Sequence, residues 1–277
     1  MKSVAILGSL ASLASLASAF CAHGTTLFPR ASGDEVKIAT YGFHGMNGPL
    51  NWYGLNKTLN AKCAQGKEQS PINILTKTLK SVDGSSLGFD IQSYDNGADF
   101  VNLGSTLEVI ANGTLKLDSK EYKLAQFHFH TPSEHHIDDE YYPAEVHFVF
   151  QAADQSLSVV GFPIELHGRN SDFVATVFEK VDKIKEPGSK GTTGKLDFTK
   201  LRDHLRRSKV YQYKGSLTTP PCTEGIAWNV VRDPVTIDVN TYKAIKGIMK
   251  FNSRYTQNTP GEINLLDNAA NTLAGKA

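Results

Sequence analysis

Short runs in which apolar and polar residues alternate dominate the middle of the chain. Alternation with a period of two is typical of a β-strand that buries one face. The turn signals Asn112-Gly113 and Asp118-Ser119 separate neighbouring runs at the spacing of β-hairpins. The pattern predicts strands in six stretches: 105–111, 114–118, 122–130, 144–152, 157–166 and 225–238.

Two later stretches have the apolar spacing of amphipathic helices. The first follows Ser171 and Asp172, which suit a helix N-terminus, and stops at Pro187-Gly188. The apolar stripe of this first stretch consists of Phe173, Val174, Val177, Phe178, Val181 and Ile184. The apolar stripe of the second stretch consists of Tyr242, Ile245, Ile248 and Met249. The loop 187–197 resembles a linker, but the segment behind it is too short to fold alone. We therefore predict a mainly β fold: one domain with a large, mostly antiparallel central sheet and a few peripheral α- or 3-10 helices.

The N-terminus has the composition of a secretory signal peptide. Lys2 precedes an apolar Ala/Leu/Ser stretch that ends in the small residues Ala17-Ser18-Ala19. A second possible cleavage position follows Ala22. The predicted organisation is a signal peptide at 1–19, or up to 22, then an N-terminal tail or pro-segment at 20–35, and one domain at 36–277. The protein is therefore expected to be secreted.

Cysteines and glycosylation sequons agree with export. Once Cys21 is set aside, Cys63 and Cys222 remain, and such a pair in a secreted chain predicts one disulfide. The alternative is two buried free thiols. Asn56 and Asn112 each begin an N-glycosylation sequon and are candidate glycan sites.

Composition and charge exclude several function classes. The 277 residues are 40% hydrophobic and 21% charged, without a run of eighteen apolar residues, which is typical of a soluble protein with no membrane span. The chain has 29 basic and 28 acidic residues; removing the first nineteen takes away Lys2 and no acid, so 28 of each remain. This balance argues against nucleic acid or an anionic membrane as the main partner.

The richest candidate chemistry lies in the stretch 126–135, QFHFHTPSEH. On a strand, His128 and His130 point to one face while the phenylalanines between them point to the other. His147 lies in the run 144–152, and if the two strands pair antiparallel, the three imidazoles converge. Three histidines without cysteine are typical of a catalytic zinc site, which leaves a fourth position open for water.

Two further polar residues share the face of the histidines. Gln126 and Glu145 are placed to accept N–H bonds from imidazoles and so to fix their tautomers. The competing interpretation is that each histidine is an ordinary core or surface group, but adjacent buried imidazoles without partners would be costly.

A different metal site is also compatible with the spacing. His128-x-His130-x3-Glu134 matches the first motif of cupins, in which Glu134 would be a ligand and the metal iron or manganese. The second cupin motif is not evident, because the residues in 161–170 lack its offsets.

Several longer motifs occur in order along the chain. They are NGPLNW (47–52), QSPINI (69–74), QFHFHTPSEH (126–135), AEVHFVF (144–150), SVVGF (158–162), YKGSLTTPPCTEGIAW (213–228) and NSRYTQ (252–257). On these motifs the chain resembles the α-class carbonic anhydrases, in particular their secreted fungal, plant and bacterial branch. The resemblance covers essentially the whole exported chain.

The resemblance implies a role for each matching position. The zinc ligands would be His128, His130 and His147, and Thr218 would accept a hydrogen bond from zinc-bound water or hydroxide while donating one to Glu134. Glu134 would then be no ligand, and Gln126 and Glu145 would orient the imidazoles. The apolar wall for carbon dioxide would consist of Val149, Leu157, Val159, Leu217 and Trp228, with Thr219 on the other side. Cys63 and Cys222 would form the disulfide of secreted members and fix the loop that carries Thr218.

The chain departs from the family at the position of the proton shuttle. The fastest relatives have Asn-x-Gly-His, whereas Ser105 stands at the histidine position here. An acid of pKa about 7 releases protons to water only about 10³ times per second, while turnover near 10⁶ s⁻¹ needs a shuttle. Serine does not titrate near neutrality, so we expect moderate, buffer-dependent turnover unless His44 or another group substitutes.

Three functions follow as hypotheses. The first is a secreted zinc enzyme that reversibly hydrates carbon dioxide to bicarbonate and a proton through zinc-bound hydroxide, with sulfonamides or anions as inhibitors. The second is a non-catalytic binding module on the same scaffold, which the three retained histidines make less attractive. The third is a cupin-type metal oxygenase, which metal content would distinguish from the first.

Overall fold

The computed structural model describes residues 35–276. The predicted signal peptide, Cys21, and all of the predicted tail except its last residue lie outside the described residues.

Within the described range the chain contains fifteen strands and six α-helices. The strands are β1 (Asn73–Ile74), β2 (Ser81–Asp83), β3 (Gly88–Ile91), β4 (Asp99–Asn102), β5 (Leu107–Ile110), β6 (Gly113–Leu117), β7 (Lys120–His130), β8 (His136–Ile137), β9 (Glu140–Tyr141), β10 (Ala144–Ala152), β11 (Leu157–Leu166), β12 (Lys190–Thr192), β13 (Lys209–Ser216), β14 (Glu224–Val231) and β15 (Val235–Ile237). The helices are α1 (Trp52–Leu55), α2 (Ala61–Gln65), α3 (Asp172–Phe178), α4 (Thr199–Arg207), α5 (Val239–Met249) and α6 (Leu265–Leu273), with 3-10 turns at Gly45–Asn47, Gly84–Ser86 and Val181–Ile184.

One twelve-stranded sheet organises the described part of the chain. Its main path is β12-β4-β5-β7-β10-β11-β14-β13-β2, and β3, β6 and β15 join it at the side. Most neighbours are antiparallel, but β11 pairs in parallel with β14 and β15, so the sheet is mixed. The predicted mainly β fold with a large, mostly antiparallel sheet and few helices is confirmed.

The predicted strands form in all six stretches, with one subdivision. The stretch 225–238 contains two strands, β14 and β15. Pro234 lies between them and has no N–H to donate to a sheet ladder, which accounts for the interruption.

The helical stretches differ more from expectation. The stripe from Phe173 to Ile184 is not one helix: α3 ends at Phe178 and a 3-10 turn begins at Val181, because Lys180 has a non-helical backbone. All six of its apolar members are nevertheless buried against the sheet. The second stripe lies in α5 as predicted, and Asp238 caps that helix by accepting from the amides of Asn240 and Thr241.

A β-bulge in β7 decides which side chains face the core. Val149 of β10 pairs with Gln126 while Phe150 pairs with Leu124, so Ala125 is an extra residue in β7. An inserted residue shifts the alternation by one position. The core-facing side chains of β7 are accordingly Tyr122, Leu124, Phe127 and Phe129. Without the bulge, the apolar residues of β7 could not all lie on one side.

Two apolar clusters cover the two faces of the central strands. The larger is an aromatic core in which the rings of Phe127 and Phe148 stack with centroids 4.7 Å apart. The smaller lies on the opposite face and includes Val149, Val159 and Trp228. The polar residues of β7 and β10 lie beside this smaller cluster.

Several sequence features lie at the surface of the fold. The sequon residues Asn56 and Asn112 are both exposed. Among the helices of residues 35–276, none is long and apolar enough to cross a bilayer.

Candidate metal centre and active site

The register of β7 and β10 brings three imidazoles together. The strands are antiparallel, with His147 opposite His128 and Glu145 opposite His130. The ring centroids lie 5.0 Å apart for His128 and His130, 5.4 Å for His128 and His147, and 4.6 Å for His130 and His147. All three rings are buried, and one nitrogen from each lies within 4.8 Å of the other two. The convergence expected from antiparallel pairing is therefore present.

Hydrogen bonds fix the orientation of each ring. His128 Nδ1 lies 2.9 Å from Gln126 Oε1, His130 Nδ1 lies 2.8 Å from the Asn252 carbonyl, and His147 Nε2 lies 2.9 Å from Glu145 Oε1. These oxygens can only accept, so the three ring nitrogens donate, and the other nitrogen of each ring keeps a lone pair. The lone pairs belong to Nε2 of His128, Nε2 of His130 and Nδ1 of His147.

The donor set fits a zinc ion. His130 Nε2 is buried and has no hydrogen-bond partner among the described residues, a costly state that a cation would relieve. Burial lowers the pKa of all three imidazoles, that of His128 well below its ordinary value and that of His130 to about 4. The rings are thus neutral near pH 7, which is the form that binds metals.

Glu145 supports the site from behind His147. Its Oε1 accepts from His147 and from His135 Nδ1 at 2.8 Å, and its Oε2 accepts from the amides of Glu134 and His135 at 2.8 and 2.9 Å. Burial would raise the pKa of Glu145, but His135 and His147 outweigh it and hold the pKa well below its usual range. An ionised carboxylate is therefore directed at His147 Nε2, and this leaves Nδ1 for a ligand.

Close packing behind the site requires a glycine. Gly161 of β11 pairs with His147. A Cβ at this position would lie 3.0 Å from Glu145 Oε1 and 3.5 Å from His147 Cδ2. Glycine thus leaves the space that the carboxylate needs to reach the imidazole.

Glu134 lies at the edge of the three imidazoles. Its Oε1 accepts from the Arg254 amide at 2.8 Å, and its Oε2 lies 3.4 Å from His130 Nε2 and 3.8 Å from His147 Nδ1. Burial raises the pKa of Glu134 to about 7, whereas His147, the Arg254 amide and the Thr218 hydroxyl lower it. The Thr218 hydroxyl is thus one of the groups that act on the Glu134 carboxyl.

An apolar wall lies next to the imidazoles. Val149, Val159 and Trp228 are paired in a row across β10, β11 and β14. This row forms one side of a cleft lined by Gln126, His128, His147, Val149, Val159, Leu217, Thr218, Thr219 and Trp228. Leu157 is buried in the same apolar cluster but does not line the cleft.

The loop that carries Thr218 is fastened by a disulfide. Cys63 of α2 is bonded to Cys222, so the predicted disulfide is confirmed. Within the loop, the Leu217 amide donates to the Thr223 carbonyl and the Cys222 amide donates to the Thr219 carbonyl, both at 2.9 Å.

Ser105 stands at the position of the expected shuttle. Its side chain is buried, and its Oγ has no hydrogen-bond partner within residues 35–276. Its carbonyl accepts from Asn252 Nδ2 at 3.0 Å. His44 is exposed, and its ring contacts Phe251 with centroids 6.1 Å apart.

Four residues of the site were not identified from the sequence. His135 directly follows Glu134, and its position in the histidine-rich stretch is a signal that could have found it. Glu108 is buried opposite His128 in the β5–β7 pairing. Asn252 and Arg254 act from a segment more than 100 residues away in sequence. Both lie in the motif NSRYTQ (252–257), which carried the family resemblance without indicating a role for either residue.

A larger cleft, about 390 Å³, lies elsewhere on the described surface between α3, α4 and β15. Its charged residues include Arg169, Lys200 and Arg207, which are exposed to solvent. Size alone therefore does not identify the functional site; the chemistry of the imidazoles does.

Comparison with known proteins agrees with this geometry. The family model described as eukaryotic-type carbonic anhydrase matches residues 47–269. A carbonic anhydrase of Pectobacterium atrosepticum is 32% identical over 85% of this chain and 93% of its own length. The solved structure of a fungal alpha carbonic anhydrase from Aspergillus oryzae has a TM-score of 0.80 and 48% identity, covering 83% of this chain and 98% of that one. That of an alpha carbonic anhydrase from Thermovibrio ammonificans, in complex with the inhibitor sulfanilamide, has a TM-score of 0.71 and 32% identity over 81% of this chain and 97% of that one.

Proposed function

The chain belongs to the eukaryotic-type, or α-class, carbonic anhydrase family, and on that premise we propose that it reversibly hydrates carbon dioxide to bicarbonate and a proton, with Zn²⁺ held by His128, His130 and His147. The observation that carries this proposal is the convergence of three buried imidazoles whose lone pairs face one another. Three nitrogen donors without sulfur are the ligand set of a catalytic zinc site. When bound, Zn²⁺ lowers the pKa of water to about 7, the known value for carbonic anhydrases, and so makes hydroxide available at neutral pH.

Thr218 and Glu134 would orient the attacking solvent oxygen. The Arg254 amide holds one oxygen of the Glu134 carboxylate. The Thr218 hydroxyl, which lowers the pKa of Glu134, would donate to the same carboxylate in the proposed mechanism. A hydroxyl that donates to a carboxylate can only accept from the nucleophile, so it selects one orientation of the attacking lone pair. These two residues are the proposed catalytic pair.

The apolar wall would receive carbon dioxide. The substrate has no charge and no N–H or O–H group to bind, so an apolar surface beside the nucleophile suits it. Val149, Val159, Leu217 and Trp228 supply that surface, and Leu157 packs behind it. Thr219 also lines the cleft, and its hydroxyl would hydrogen bond the product anion.

Proton release would limit turnover. The buried hydroxyl of Ser105 cannot carry a proton as an imidazole does, because serine does not titrate near neutrality. Protons therefore leave the site through buffer molecules in the proposed mechanism. Moderate turnover that depends on buffer follows.

We also propose that the protein is exported. Three features support export: the signal-like N-terminal composition, the disulfide between Cys63 and Cys222, and the exposure of both sequon residues, Asn56 and Asn112. Disulfides persist mainly in oxidising compartments. Mass spectrometry of protein from the culture medium of the native host would test signal cleavage after Ala19 or Ala22 and glycan occupancy together.

The alternatives fit less well. A non-catalytic binding module would not need three neutral imidazoles with fixed tautomers and an apolar wall beside them. The match to the carbonic anhydrase family over residues 47–269 argues against a cupin oxygenase. In the proposed mechanism Glu134 is a partner of Thr218 rather than a metal ligand.

Stopped-flow measurement of proton release from carbon dioxide tests the function directly. We expect zinc-loaded protein with one zinc per chain to accelerate the hydration, and an aromatic sulfonamide such as sulfanilamide to abolish the acceleration. Protein stripped of metal is the matched control, and activity should return with zinc. Folded protein that contains one zinc per chain and does not accelerate hydration would contradict the proposal.

A further inference from the structure

Arg254 is a buried cation whose bonding partners carry no charge. Only 2% of it is exposed. Its NH1 donates to Gln69 Oε1 at 2.9 Å and to the Ser70 carbonyl at 2.8 Å, and its NH2 donates to the Cys63 carbonyl at 3.2 Å. The guanidinium also lies over the ring of Trp52, 5.7 Å from its centroid. Burying a charge is costly, so this arrangement needs an explanation beyond stability.

The guanidinium and Gln69 together span the disulfide. Arg254 binds the carbonyl of Cys63, and Gln69 Nε2 donates to the carbonyl of Cys222 at 3.1 Å. The Arg254–Gln69 hydrogen bond closes the bridge. A polar link therefore runs parallel to the covalent bond, and it reaches the loop that follows Thr218.

The main chain of the same arginine holds Glu134. The Arg254 amide donates to Glu134 Oε1 at 2.8 Å. Arg254 is therefore linked to both members of the proposed catalytic pair. Its amide binds Glu134, and its side chain binds Cys63 and Gln69, which hold the loop that carries Thr218. A shift of the guanidinium would therefore alter the support of the Thr218 loop while the amide still holds Glu134.

We propose that the Arg254 side chain is a positioning residue for the Thr218–Glu134 pair, which it aligns by tying residue 134 to the disulfide loop through Gln69. The inference rests on the proposed function of that pair. The planar guanidinium suits this role because it donates to Gln69, Ser70 and Cys63 at once in fixed directions, whereas a lysine ammonium is a flexible point charge. Burial lowers the pKa of Arg254, to about 10, so the fork stays charged at neutral pH.

Two substitutions test the role. Arg254→Met removes both the charge and the planar set of N–H donors, and Arg254→Lys keeps the charge but not that planar set of donors. Because a misplacement of about 1 Å can lower a rate by about 10²-fold, we expect kcat for hydration to fall by about 10- to 100-fold in both, with little change in KM. This kcat and those below are measured at saturating imidazole, so that proton release does not limit turnover. Zinc content should stay at one per chain, because Arg254 makes no hydrogen bond to the three imidazoles in the described structure. Arg202→Met, which removes an exposed guanidinium paired with Asp90, is the matched control and should keep full kcat.

A double-mutant comparison separates positioning from a general loss of stability. If Arg254 acts through Thr218, then Arg254→Lys should cost less than about threefold in kcat when added to Thr218→Val, because coupled residues are not additive. Equal losses of kcat from Arg254→Lys in the wild-type and Thr218→Val backgrounds, or unchanged kcat in folded Arg254→Lys, would overturn the inference.

A second variant is available if both Arg254 variants fail to fold. Gln69→Leu removes the link to Cys222 and leaves the arginine, and it should still lower kcat at constant zinc content. Unchanged kcat in Gln69→Leu would overturn the inference as well. An inactive wild type with bound zinc would instead refute the proposed function.

Discussion

The two faces of β7 and β10 differ in the interactions that hold their side chains in place, although both faces are built from alternate residues of the same strands. On the core face, Phe127, Phe129 and Phe148 pack against other apolar side chains without any directed polar contact. On the other face, each imidazole has a specified acceptor within 2.9 Å. A core of this kind requires only suitable volume and shape, whereas the polar face requires particular atoms at particular places.

The difference separates stability from activity. A substitution on the core face should lower the free energy of unfolding and leave the chemistry of the folded molecules unchanged. A substitution on the polar face should change metal binding or turnover more than it changes folding. The substitutions below test this separation, from the largest expected effect on function to the smallest.

His130→Ala should have the largest effect. It removes a proposed zinc ligand and leaves a cavity in place of a buried ring, so we expect hydration kcat/KM to fall by about 10³-fold or more. Metal analysis should show less than one zinc per chain after dialysis. His167→Ala, at an exposed histidine, is the control and should keep both zinc and activity.

Thr218→Val should be next. Valine keeps the volume but cannot donate to Glu134 or accept from solvent, and we expect kcat/KM to fall by about 10²-fold. Thr218→Ser restores the hydroxyl and should recover most of the activity. If Thr218→Val has the activity of the wild type, the proposed role of the pair is wrong.

Glu145→Gln should weaken zinc binding by about 10- to 100-fold, because residues that orient a ligand have effects of this size. The amide cannot accept as a charged carboxylate does from His147 and His135. Competition with a chelator gives the zinc dissociation constant. Glu140→Gln, at an exposed glutamate of β9, provides the comparison and should leave that constant unchanged.

Buffer should affect turnover more modestly. With Ser105 at the shuttle position, raising imidazole from low to saturating concentration at constant pH and ionic strength should increase kcat by about tenfold. The measurement is repeated with His44→Ala to test the exposed histidine as a substitute. A kcat that does not change with imidazole concentration in the wild type or in His44→Ala would show that another group of the protein carries the proton.

Phe129→Leu should have the smallest effect on function. The residue is adjacent to His130 but faces the aromatic core, so we expect a loss of about 1–3 kcal/mol in the free energy of unfolding and less than about twofold change in kcat/KM per folded molecule. Denaturant titration and stopped-flow hydration provide the two values. A large loss of zinc in this variant would show that the two faces are not separable.

The sequence predicted the parts of the structure that depend on local pattern. Alternation placed the strands, and the spacing of His128 and His130 indicated a shared face, which His147 would join if the two strands paired antiparallel. The apolar spacing of Tyr242, Ile245, Ile248 and Met249 was also sufficient to predict helix α5. In contrast, α4 buries only Leu201 and Leu205 among polar neighbours, which is too sparse a stripe to recognise.

Contacts between distant segments could not be read in the same way. The bulge at Ala125 depends on pairing with β10 and has no sequence signal of its own. The stripe from Phe173 to Ile184 is interrupted at Lys180, whose backbone is not helical, although its later residues form a 3-10 turn and remain buried. Arg254 contacts Gln69 across 185 residues, and only the folded chain shows that the two meet.

X-ray absorption spectroscopy of the zinc-loaded protein is the most direct test of the central claim that three imidazoles from two neighbouring strands form one metal site. We expect one zinc per chain with three nitrogen ligands, one oxygen ligand and no sulfur, and loss of the three-nitrogen spectrum in His147→Ala. A spectrum with a sulfur ligand, with fewer than three nitrogen ligands, or unchanged by His147→Ala would contradict the account.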